Sequence, residues 1–90
     1  MDASPSVRSK LVRSIVDLTE LCENKPQGLR TLHELCVALS EYADDDDYSV
    51  AHDLEEYVAE CLKIAEGNGD PVWRKQLLAT LEDDMDEENA

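Results

Sequence analysis

Apolar residues recur along this chain at spacings of three and four, in four separate runs. That is the helical period, which gathers them on one face of each run. In the first, Leu11, Ile15, Leu18 and Cys22 form a stripe, widened by Val7, Val12, Val16 and Leu21. Ser6, Arg8, Ser9, Lys10, Arg13 and Ser14 lie opposite, so its early exposed turns are expected to be basic. Ser4 and Pro5 read as an N-cap and a first helical residue, and the run closes near Glu23 and Asn24, ahead of Pro26.

Pro26-Gln27-Gly28 reads as a tight connection and helix start. Leu29, Leu32, Cys36 and Leu39 make the second stripe, with Leu35 beside it and an end near Tyr42 and Ala43. Asp44 to Asp47 then interrupt the rhythm. Adjacent carboxylates repel one another and favour caps and turns, which predicts a loop. Ala51, Leu54, Val58, Cys61 and Ala65 form the third stripe, flanked by Tyr57, Leu62 and Ile64. Asp53, Glu55, Glu56 and Glu60 fall on its expected outer face. Gly67-Asn68-Gly69 ends that helix, and Asp70-Pro71 starts a fourth by cap and proline. There Trp73, Leu77, Leu81 and Met85 are spaced as a stripe beside Val72 and Leu78, Trp73 being expected to plug the core.

The fold class this predicts is all-α, a compact antiparallel bundle of four main helices, since short connections make consecutive helices antiparallel neighbours. Residues 1–81 are expected to form one domain, and the acidic run 82–90 a frayed tail. Ninety residues fit a single domain with a thin core. Phe is absent and the aromatics are one Trp and three Tyr, so the core must come from Leu, Val, Ile, Ala and Cys. Tyr42, Tyr48 and Tyr57, around the acidic loop, are expected to pack in the ordinary way.

Charge changes the picture more than composition does. Residues 1–40 hold five basic and five acidic residues, which cancel. Residues 41–90 hold three basic against seventeen acidic, so the whole net charge of −14 belongs to the second half. Such a field argues against direct nucleic-acid binding and against attachment to an anionic membrane. No run approaches a membrane span, no secretory signal is apparent, and three widely spaced cysteines make no disulfide framework. A cytoplasmic protein with reduced thiols is expected.

Candidate chemistry is sparse. His33 and Cys36 are three residues apart, and Cys22, Cys61 and His52 offer further zinc-ligand types. There is no CxxC, however, and all three cysteines fall on apolar stripes, where Cys behaves as a small hydrophobe. Asp44, Asp46 and Glu55 match positions one, three and twelve of a calcium loop, but Ser49 stands where that loop needs Gly. Nothing resembles a nucleophile elbow, a phosphate-binding loop or a paired-carboxylate pocket. The expectation is no catalytic residue, no metal and no cofactor.

Lys25-Pro26-Gln27-Gly28-Leu29-Arg30-Thr31-Leu32, followed by Leu35, Ala38-Leu39 and Val50 to Leu54, resembles part of the bacterial effector-associated domains. These are small helical adaptor modules of the death-fold and caspase-recruitment kind, found with effectors in bacterial defence. The resemblance implies a death-fold-like arrangement of six short helices and homotypic assembly, a basic face of one copy meeting an acidic face of the next.

Two functions therefore compete. One is a non-enzymatic adaptor that recruits like domains through a basic face (Arg8, Lys10, Arg13) and an acidic face (Asp44, Asp45, Asp46, Asp47, Asp53, Glu55, Glu56, Glu60). A head-to-tail contact of that kind can propagate into a filament. The other is an acidic inhibitor, of the nucleic-acid-mimic, anti-CRISPR or toxin-immunity type, whose carboxylates imitate a phosphate lane and dock on a basic protein surface.

Overall fold

The computed structural model describes the backbone of residues 7–86 and, within that span, the side chains of residues 9–44 and 48–83. Among the described residues there are four helices and no strand: α1 (Val7–Leu21), α2 (Pro26–Tyr42), α3 (Asp45–Ala65) and α4 (Pro71–Asp86). The all-α bundle of four main helices is the architecture observed. Ser4 and Pro5, the expected cap of the first helix, lie outside the described residues, as does the side chain of Met85.

Helix α3 is the axis of the bundle and packs against all three of the others, most extensively against α2. At 21 residues it is about 32 Å long. Its buried residues Val50, Ala51, Leu54, Tyr57, Val58 and Cys61 run nearly its whole length. Leu29, Leu32 and Cys36 of α2, Leu77 and Leu81 of α4, and Val12, Ile15 and Val16 of α1 complete one continuous core. Each fully buried leucine among them stabilises the fold by about 1.5–3 kcal/mol relative to exposure.

The start of α3 corrects the expected loop. The helix begins at Asp45, and the Tyr48 N–H donates to the Asp44 carbonyl at 2.9 Å, leaving only Ala43 and Asp44 between α2 and α3. Acidic residues in a first turn face the positive end of the helix dipole, an attraction that offsets their mutual repulsion. At the other end of the chain, α4 continues through residues 82–86 instead of fraying after Leu81. Leu81 is fully buried, and each residue added to an anchored helix gains a hydrogen bond without a new nucleation step.

The buried face of α1 is turned from the expected stripe. Val12, Ile15, Val16 and Thr19 are inside, whereas Leu11 and Leu18 are 37% and 44% exposed and Leu21 is 72% exposed. Thr19 is accommodated because its hydroxyl donates to the Ile15 carbonyl at 2.7 Å. Trp73 is likewise 45% exposed rather than a core plug, and burial on α4 begins one turn later at Leu77. Of the three tyrosines only Tyr57 is buried; Tyr42 and Tyr48 face out.

Two connections are tightly built. A Cβ on Gly28 would stand 2.8 Å from the Cys22 sulfur, so α2 starts close against the end of α1 and a larger residue there would require the Cys22 side chain to turn away. After α3, Gly67 takes a φ of +91°, its N–H donating to Ile64 O at 3.0 Å while Asn68 N–H donates to Lys63 O at 2.8 Å. This is a Schellman stop. Asp70 then caps α4, its carboxylate accepting the Val72 N–H at 2.9 Å.

Glu60, expected on the outer acidic face, is instead buried. Its carboxylate accepts the Asp70 N–H at 2.6 Å, strapping α3 to the entry of α4. Removing the acceptor strands a part-buried donor, so Glu60→Ala should cost about 1–3 kcal/mol. Glu60→Gln, which keeps an acceptor oxygen, should cost less. Urea unfolding checks this: a lowered midpoint at constant slope for Glu60→Ala is expected.

Candidate functional site

The residues expected to carry function divide between α1 and α3. On α1, Lys10 and Arg13 are exposed, and the side chain of Arg8 lies outside the described residues. The same exposed side continues into Asp17 and Glu20, so the face is basic at its N-terminal end and acidic beyond. The early turns of α1 alone are basic; the two carboxylates enter one and two turns later on the same side.

The acidic face is less uniform than expected. Asp44 and Glu56 are exposed and Asp53 and Glu55 half-buried, Glu60 is internal, and the side chains of Asp45, Asp46 and Asp47 lie outside the described residues. Glu55 turns toward α2, its carboxylate 4.0 Å from His33 Nε2. Glu56 Oε1 lies 3.7 Å from His52 Nδ1 one turn earlier, and the Tyr48 ring stacks against His52 at 6.0 Å.

His52, Asp53 and Glu56 bring one ligand-type atom each within 4.8 Å of one another, all from a single helix. Of the zinc-ligand types named from the sequence, only His52 stands there. Cys36 and Cys61 are buried on the core side and Cys22 is half-buried. Asp44 and Asp46, the suggested start of a calcium loop, flank the first residue of a helix rather than a loop.

A feature the sequence did not disclose is a cleft of about 300 Å³ between α1, α3 and α4. Thr19, Glu20, Glu23, Tyr57, Cys61, Arg74 and Leu78 line it. Burial pushes the Cys61 thiol up, and the Tyr57 hydroxyl and Arg74 guanidinium partly counter that. Burial also holds the Tyr57 phenol above its ordinary range. No histidine is among the lining residues, so this thiol has no imidazole to take its proton. Thr19 and Glu23, Tyr57 and Cys61, and Arg74 and Leu78 are each four apart, but nothing in local spacing says that these three pairs meet.

Cys36 is pushed up to about 12, by burial first and by the nearby Glu55 carboxylate second. Asp53 is raised by burial and by Glu56, with His52 partly opposing.

Comparison with protein-family models, with curated proteins and with solved structures finds no match. No helix among the described residues is long and apolar enough to cross a membrane.

Two measurements probe this surface. A carboxyl whose pKa is raised by folding favours the protonated native state, so the stability it contributes is full below the unfolded pKa and fades as pH rises through the folded one. Asp53 therefore opposes folding at neutral pH. Asp53→Asn should raise the thermal midpoint at pH 7 and change it little below about pH 4, where the unfolded carboxyl is itself protonated. Native iodoacetamide labelling should modify half-buried Cys22 first, with Cys36 labelled only after denaturation, because the thiolate is the reacting form. Mass mapping of the labelled peptides reads the order.

Proposed function

We propose that this chain is a non-enzymatic protein–protein interaction module of the adaptor kind, assembling with like domains through complementary charged helical faces. The observation that carries this reading is the division of charge, zero over residues 1–40 and −14 over residues 41–90. Lys10 and Arg13 extend into solvent on α1 and enter no ion pair among the described residues. Asp44, Glu56, Glu82 and Asp83 extend into solvent from the other half. The resemblance of the Pro26–Leu32 entry to bacterial effector-associated domains supports a role in recruiting defence effectors, in the cytoplasm.

A second reading, the acidic inhibitor, has its own support. Asp17 and Glu20 dilute the basic side of α1, while the acidic surface of α3 and α4 carries few cations. A module of that kind meets a basic protein surface and needs nothing from Lys10 or Arg13.

Exposed charges are screened over about 8 Å at physiological ionic strength, which makes salt the discriminating variable. In sedimentation velocity the charge-driven part of the association should be present at about 0.05 M salt and lost at about 0.5 M. Lys10→Glu with Arg13→Glu should abolish it; assembly unchanged in that variant sinks the adaptor reading. A chain that stays monomeric, yet retains a basic protein from nuclease-treated lysate until Glu56→Lys is introduced, decides for the inhibitor.

A further inference from the structure

We infer that the exposed side of α1 is a self-complementary seam that pairs antiparallel with α1 of a second copy. Leu11, Ser14, Leu18 and Leu21 succeed one another at spacings of three, four and three, all on the outward side of the helix. Three large leucines left in water on fifteen residues of helix form an unpartnered apolar ridge. Its spacing is that of a two-helix seam, with small Ser14 at the centre, where two backbones come nearest.

The occupant follows from charge. Beside the ridge lie Lys10 and Arg13 in the first half of the helix, then Asp17 and Glu20 in the second. None of the four enters an ion pair among the described residues. Turning a second α1 end for end about a two-fold axis near Ser14 and Ile15 sets Lys10 against Glu20 and Arg13 against Asp17, twice over. Leu11 and Leu18 then meet across the same axis. Such an isologous contact closes on itself and stops at two copies. A parallel second copy would set like charge against like, and a uniformly basic or acidic partner would satisfy only half the helix. The seam also belongs to the half of the chain whose formal charge is zero. One pair of four-turn helices buries less than a standard interface, which points to a dimer that dissociates on dilution.

The inference shares with the adaptor reading the premise that a second copy is the partner and the cations Lys10 and Arg13, but sets those cations against Asp17 and Glu20 rather than against the acidic side of α3. The test is light scattering on the eluting full chain across a concentration series, at about 0.05 M and about 0.5 M salt. A dimer present at both salts is expected, since apolar contact is not screened. Leu18→Ser with Leu21→Ser should raise the dissociation constant at least about tenfold, while far-UV circular dichroism still shows a folded helical chain, since neither side chain belongs to the buried core. Lys10→Glu with Arg13→Glu should weaken the dimer, and adding Asp17→Lys with Glu20→Lys should restore it. A monomeric wild type, or dimerisation untouched by the two serines, overturns the seam. Assembly at low salt alone, lost with Asp53→Lys and Glu56→Lys but indifferent to the serines, overturns the seam while leaving the charged-face reading standing.

Discussion

Everything in this bundle depends on the burial of α3. Its apolar side is covered by α2 on one flank and by α1 and α4 on the other, so no pair of the outer helices has to form a core alone. A chain of this size keeps a small margin between burial and conformational entropy. Placing the longest helix at the centre lets a limited supply of Leu, Val and Cys serve three interfaces at once. The cost falls on the polar residues that share that helix. Glu60 is taken inside and must be matched by the Asp70 N–H, and Asp53 is held half out of water beside Glu56.

The acidity of the second half is arranged rather than merely dispersed. Asp45, Asp46 and Asp47 fall in the first turn of α3, where unsatisfied N–H groups and the helix dipole favour negative charge. Asp70 does comparable work for α4 with a direct hydrogen bond to Val72 N–H. The remaining carboxylates, Glu56 and Glu82 among them, face solvent, where repulsion is weakened by water and salt. The ion pair between Arg30 and Glu66, 3.0 Å long, joins the start of α2 to the end of α3, but both partners are wet and such pairs contribute little.

Helix number, and most helix ends, were legible because spacing and punctuation agree: Pro26, Gly67 and Asp70-Pro71 each mark a boundary the structure keeps. The Asp44–Asp47 run misled because the same residue type serves a turn and a helix N-terminus, and only the position of the next hydrogen bond separates them. Helical phase was harder. Leu11, Leu18 and Val12, Ile15, Val16 define overlapping stripes on α1, and which one turns inward depends on where the neighbouring helices lie. Trp73 shows the same limit along the helix axis, since periodicity gives an angle but not how far a neighbour reaches. Of the candidate site residues, Lys10, Arg13 and Glu56 were readable as surface charge. The cleft at Cys61 was not, because its walls are brought together by chain reversals that no local spacing encodes.

The reversal at Ala43 and Asp44 is only two residues long, and its effect reaches beyond geometry. Loop-closure entropy grows with the length of chain held between contacts, so α2 and α3 meet at a lower entropic cost than any other pair in the molecule. They also share the broadest packing. Contacts close in sequence shorten the search for the native topology. The hairpin of α2 and α3 is thus the part of the bundle whose contacts cost the chain least entropy to close.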